Sequence, residues 1–308
     1  MPTSALTSQT DSSAQLVTMT SPKPQNTKTP NPANPSSLPP RYEIRQLEPK
    51  HNEWAAAIVS HSNSFYSTVW PALYPWHNGH DAIELGLSAE YLVSHQINSG
   101  LSFGVFDTQY VFAREESKKT GGALYWDKSE PSVQAEQGLE AEAQRLLKQM
   151  DFPLVSVALS YDASSPLDMD KLQPLLAALP HFGMIYHNLE EGDRRDPETW
   201  KAKGPGEVLM RNATSTRRDY EGQGLMGGLA RWLMREADAK GYRGIQIEAV
   251  ADAVIHVWSK AEKPYQGKII SEFDTATWRD EKGVLAFEPA KQRIAKCYVE
   301  LKPHRGEA

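Results

Sequence analysis

The 308-residue chain has a single cysteine, Cys297. One thiol makes no internal disulfide, which suits a reducing compartment, and it rules out a metal cluster built from several cysteines. Flanked by Tyr298 and Val299, it reads as a small core residue. Long apolar runs are also missing, and nothing reaches the roughly 18 consecutive apolar residues that cross a bilayer. No run of Lys and Arg exceeds two residues and the net charge is −6, so there is no electrostatic footprint for nucleic acid. His61, His77 and His80 share no metal-site spacing, and no metal is expected. These absences point to a cytoplasmic protein that acts on small molecules, with no membrane or nucleic-acid partner.

The segment Met1–Pro40 is poor in charge and in apolar residues. It is rich in Ser, Thr and Pro, with only Asp11, Lys23 and Lys28 charged. Such a segment buries too little surface to offset its ordering entropy, so residues 1–40 are expected to be a disordered tail. An organelle leader fits less well, because no arginine precedes Arg41. A single domain is expected over residues 41–303.

Within it, Tyr42–Leu47 alternates with period two and reads as a strand. Helices are expected at Trp54–Val59 and Ala89–Ile97, and two antiparallel strands at Leu101–Phe106 and Gly122–Trp126. Leu139–Met150 carries one apolar helical face. A strand at Leu154–Leu159, a helix at Asp168–Leu179 and a breaker-rich loop at Glu191–Pro205 follow. A strand starts at Glu207. Leu225–Lys240 is the clearest helix, stopped by Gly241. Gly244–Val250, Ala253–Ala261 and Gly267–Phe273 read as strand, helix and last strand.

Gly222, Gly224 and Gly227 stand at i, i+2 and i+5 just before that clearest helix. Glycines admit close backbone approach, and a helix N-terminus aims unpaired N–H groups and a positive dipole end at the turn. Together they make a phosphate site. The spacing also matches the dinucleotide fingerprint, with Glu248 where a ribose-binding acid would stand, so an NAD(P)-dependent oxidoreductase is one alternative. Against it, the polar Arg217–Glu221 separates the apolar strand from the first glycine.

Tyr220-Glu-Gly-Gln-Gly-Leu-Met226, the helix after it, strand Gly244–Val250 and helix Ala253–Ala261 resemble the acetyl-CoA-binding region of the GNAT acyltransferase superfamily, over Glu207–Phe273. The resemblance implies an α+β fold: a central, mixed, mostly antiparallel sheet flanked by helices, with residues 130–206 as an insertion. It implies acetyl-CoA as cosubstrate, held by Thr216, Arg217, Arg218, Gly222, Gln223, Gly224, Leu225, Met226 and Gly227. The activity implied is N-acyl transfer to a small amine. Two positions depart from the family pattern. Glu221 stands where a basic residue is usual, leaving Arg217 and Arg218 to supply the charge, and Met226 replaces a small residue.

A proton donor on the helix after the fifth strand is common in that family. The matching position here holds Trp258, whose indole donates a hydrogen bond but no proton. His256 is a nearby titratable group, and Glu207 and Glu248 are the candidate bases for an ammonium nucleophile. Trp70, Tyr74 and Trp76, packed among prolines, are expected to wall the acceptor pocket. A CoA-binding protein without transfer activity is the second alternative, favoured by Glu221 and Trp258.

Overall fold

In a computed structural model, residues 34–75 and 79–301 are described. Tyr42–Gln46 forms β1, with Tyr42, Ile44 and Gln46 turned inward as the period-two pattern requires. Helices α1 (Asn52–His61), α2 (Gly79–Ser88) and α3 (Glu90–Asn98) lead to β2 (Phe103–Asp107). Helix α4 (Leu139–Lys148) precedes β3 (Leu154–Asp162). Helix α5 (Met169–Ala178) starts at Asp168, whose carboxylate accepts from the amides of Asp170 and Lys171, and α6 (Pro180–Glu191) follows it. The chain continues through β4 (Val208–Thr216), α7 (Leu225–Ala239), β5 (Gly244–Ala249), α8 (Asp252–Ser259), β6 (Gln266–Asp274) and β7 (Arg293–Glu300).

The seven strands form one sheet in the order β1-β2-β3-β4-β5-β7-β6. Every neighbouring pair is antiparallel except β4 with β5. This is the mixed, mostly antiparallel α+β sheet expected from the sequence. A dinucleotide-binding domain needs a run of parallel strands, so the oxidoreductase reading is set aside. On one face, Leu229, Trp232 and Leu233 of α7 and Ile255 and Trp258 of α8 pack on Leu209, Ile245 and Ile247. On the other, α1 and α3 cover β2 and β3, and α5 and α6 cover the far half.

Several expectations need correction. Gly122–Trp126 does not pair with β2; only Ala123–Leu124 is strand, and it pairs with Met150–Asp151 in a separate ribbon. Met150 therefore belongs to a strand and not to the end of α4. Residues 130–206 are not wholly an insertion, because β3 lies inside the main sheet between β2 and β4. β6 is not the last strand: β7 inserts between it and β5.

The docked chain begins before residue 41. Of the expected tail, the first 33 residues lie outside the described ones, but Asn34 is 3% exposed and docked on α7. Asn34 donates to the carbonyl of Trp232 and to Glu236, accepts from Arg235 through its side chain, and accepts the Trp232 indole N–H through its carbonyl. Leu38 lies over Gly228, where any Cβ would collide with it at 2.3 Å.

Candidate active site

β4 and β5 pair only from Val208 to Arg211 and from Gly244 to Ile247. Beyond that, β4 stays with β3 up to Thr216, and β5 stays with β7 up to Ala249. A bulge sharpens the parting: Leu159 faces Ala213 and Ser160 faces Arg211, so Asn212 is the extra residue. A wedge thus opens inside the sheet. A cavity of about 470 Å³ occupies it, reaching from Thr214 and Glu248 to Trp70, Phe182 and Tyr186. Its walls are mostly apolar, supplied by α2, α3, α5 and α6 as well as the strands.

Glu248 is one of three acids in this wall, with Glu221 and Asp252, and is half-buried on β5. Desolvation by the surrounding protein pushes its carboxyl up to about 7, partly opposed by the charge of Lys296. Its Oε1 accepts a 3.0 Å bond from the Gln246 amide, which is itself oriented by Arg195 on its Oε1. Tyr186 closes one side, its hydroxyl taking a 2.8 Å bond from Asn212, and burial raises that phenol well above its usual range. A carboxyl poised near neutrality in an apolar cavity can accept the proton of an ammonium group.

The glycine turn sits at the mouth of the wedge, where Glu221 reaches the cavity wall. Gly222 and Gly224 have φ of 76° and 73°, a region that only glycine occupies without strain. Gly224 is the N-cap of α7, so the amides of Leu225, Met226 and Gly227 have no partner within the helix. Tyr42 donates to Gln223 and Tyr220 donates to Asp107 at 2.8 Å, which fastens the turn to β1 and β2. Thr216 ends β4 with its hydroxyl against that of Ser156.

The two arginines differ from expectation. Arg217 is 4% exposed and spends its guanidinium on the carbonyls of Met150 and Phe152 and on Asp219. It is a buried brace and no phosphate ligand. Arg218 is exposed and pairs with Glu221 at 2.5 Å, over the ring of Tyr66. The acid that departs from the family pattern is thus matched by the neighbouring cation.

Other named residues fall elsewhere. Glu207 precedes β4 at the end away from the wedge and accepts from Arg243 and the Lys203 amide, so the structure does not bring it to the cavity. His256 points outward on α8 and is exposed. Trp258 is fully buried on the inner face of that helix. Trp70 lines the cavity and stacks on Phe182. Tyr74 lies behind it, hydrogen-bonded to His181 at 2.7 Å. Trp76 lies outside the described residues. Sequence reasoning missed Phe182 and Tyr186, although Phe182, Ile185, Tyr186 and Leu189 carry a helical i, i+3, i+4, i+7 spacing. It also missed Arg211, whose signal was an arginine directly after the apolar start of a strand. Among the described residues, no group of three or more His, Cys, Asp or Glu gathers as a metal site, and no helix is long and apolar enough to cross a membrane.

No protein-family profile and no curated protein matches the chain. Solved structures do. The C-terminal condensation domain of Ebony, in complex with beta-alanyl-dopamine, superposes with a TM-score of 0.54 at 15% identity, over 84% of this chain and 98% of that one. Arylalkylamine N-acetyltransferase 2 from Aedes aegypti gives 0.52 at 11% identity, over 84% and 99%. A putative arylalkylamine N-acetyltransferase 7 from the same mosquito gives 0.52 at 11%, over 84% and 87%. At such identities the shared property is the fold.

Proposed function

We propose that this chain, which has the fold of the GNAT N-acyltransferases, transfers an acyl group from acetyl-CoA or a close relative to a small primary amine with an apolar body. The observation that carries the reading is Glu248, a carboxyl held near neutrality inside an apolar cavity at the splay of β4 and β5. An acyl-CoA pyrophosphate fits the glycine turn, where the first amides of α7 and the left-handed Gly222 and Gly224 leave the backbone open. The wedge fits the pantetheine arm, which would expose the thioester to the cavity.

The cavity sets the acceptor. Trp70, Phe182 and Tyr186 suit a flat or aliphatic body, and Glu248 suits the ammonium end. The structural likeness to an arylalkylamine N-acetyltransferase and to a condensation domain in complex with beta-alanyl-dopamine supports the same substrate class. Glu248 takes the ammonium proton, the free amine attacks the thioester carbonyl, and the carbon–sulfur bond breaks.

The second reading is a CoA-binding protein without transfer. Trp258, which cannot give a proton, favours it. Release of free thiol from acetyl-CoA with 2-phenylethylamine, tyramine and agmatine separates the two. Transfer predicts turnover by wild type and a loss of about 10²–10⁴-fold in Glu248→Gln with CoA affinity kept. CoA binding without turnover on any amine supports the second reading, and unchanged activity of Glu248→Gln removes the assigned base.

A further inference from the structure

Arg211 is the last residue of β4 paired with β5, so its Cα stands at the apex of the wedge. Its side chain is 1% exposed, yet among the described residues no carboxylate accepts a hydrogen bond from it. All its hydrogen bonds go to neutral acceptors: the carbonyl of Leu159 at 2.7 Å, that of Ala213 at 3.2 Å, and the hydroxyl of Thr214. Its Nε has no partner among the described residues. Its guanidinium carbon lies 5.5 Å from the ring centroid of Trp258, which is fully buried and whose Nε1 also has no acceptor among them. Neighbouring side chains of β4 and α8 thus each carry an unpartnered N–H donor, and Thr214, which Arg211 holds, and Val254 of α8 line the cavity.

Burying a cation without a counter-anion is costly, and an apolar side chain of similar volume would pack there without that cost. Desolvation acts on the guanidinium, lowering its pKa to about 9, which leaves it charged at neutral pH. In a low-dielectric interior such a charge acts strongly on any anion that forms nearby. The proposed reaction forms one: the thiolate released when the thioester breaks.

We propose that Arg211, assisted by the indole N–H of Trp258, stabilises the departing thiolate and so replaces a proton-donating side chain. The inference rests on the acyl-transfer reading above. The amine nitrogen bonds to the carbonyl carbon, and the carbon–sulfur bond breaks with its electron pair on sulfur. One ammonium proton is on Glu248 by then. The proton shed by the acylated nitrogen passes to the thiolate or to solvent. Arg211 keeps its protons throughout and acts through its fixed charge.

The test varies the acidity of the leaving thiol. Arg211→Met and Trp258→Phe are assayed with acetyl-CoA and with S-acetyl-4-nitrothiophenol, whose thiolate needs little stabilisation. With acetyl-CoA, Arg211→Met should lose about 10²–10³-fold in kcat while KM for acetyl-CoA changes by less than about threefold. Trp258→Phe should lose about fivefold, the worth of one neutral hydrogen bond. With the acidic thiol, both losses should fall to about twofold or less. A loss equal for both donors, with weakened CoA affinity, makes Arg211 a clamp for the β4 bulge and overturns the proposal. If Arg211→Met fails to fold, Arg211→Lys keeps the charge, and Trp258→Phe keeps the test open: a donor-independent loss in both overturns the proposal equally. Wild-type turnover is the control. Its absence overturns both this inference and the acyl-transfer reading, whereas its presence with donor-independent losses overturns only this one.

Discussion

Glu248 links activity to stability at the level of one carboxyl. Its folded pKa, about 7, stands above the ordinary 4.5 because burial disfavours the charged form. The folded protein therefore binds this proton more tightly than the unfolded chain does. The resulting stabilisation is complete below about 4.5 and is lost as pH rises through about 7. Under the proposed acyl transfer, activity runs the other way, since Glu248 accepts a proton only when deprotonated, and should rise through about pH 7. Glu248→Gln carries no charge at any pH. Near pH 8 it should be more stable than wild type by on the order of 2–3 kcal/mol, and near pH 4 the two should melt together. Thermal melts at both pH values check this, and equal melting at both would mean a solvated carboxyl of ordinary acidity. The sequence singled out this residue by its place on a strand beyond the glycine helix. It could not show that Glu207 would be taken by Arg243, or that Arg217 would be spent on backbone carbonyls, because those partners come from distant segments.

Among elements, α7 was read almost residue for residue, because its amphipathic stripe and its glycine boundaries are local signals. Helix α6 went unread despite its periodic apolar positions. It follows α5 after a single residue, Leu179, and carries Pro180 and Gly183 in its first turn, both of which break a helical pattern. Phe182, Ile185 and Tyr186 of the cavity wall come from this helix. The strap at Asn34–Leu38 was unreadable for another reason: its hold on α7 is made by one asparagine and one leucine in a polar, proline-rich stretch. A chain starting at residue 41 leaves the buried Trp232 N–H without its acceptor and uncovers Gly228. It should lose about 1–3 kcal/mol relative to a chain starting at residue 34, a drop of several degrees in Tm. Paired melts of the two chains decide it, and identical Tm values would show that the strap adds nothing to the hold.

For the molecule as a whole, strands β1 to β5 and helices α1, α3, α4, α5 and α7 were legible, since each carries its own period. The sheet's closure was not. β7 is buried on both faces and reads Arg-Ile-Ala-Lys-Cys-Tyr-Val-Glu, with Lys296 at 1% exposure where alternation would place solvent. Lys296 is buried because Glu190 of α6, at 2.6 Å, and Asp193 just after it, at 3.4 Å, surround its ammonium group. β5 and β6 meet only through this strand. A chain ending at residue 292 should lose cooperative unfolding and bind a dye for exposed apolar surface, whereas a cooperative melt would show that β5 and β6 can pair directly. The same topology bears on biosynthesis. Six of the seven strands are made before β7, yet the strand that carries Glu248 keeps an open edge until residue 300 has been added. A nascent chain paused before that point presents the backbone of Ile245 and Ile247 as a template for chaperones or for neighbouring chains, so the half of the sheet that carries Glu248 closes only once β7 has emerged.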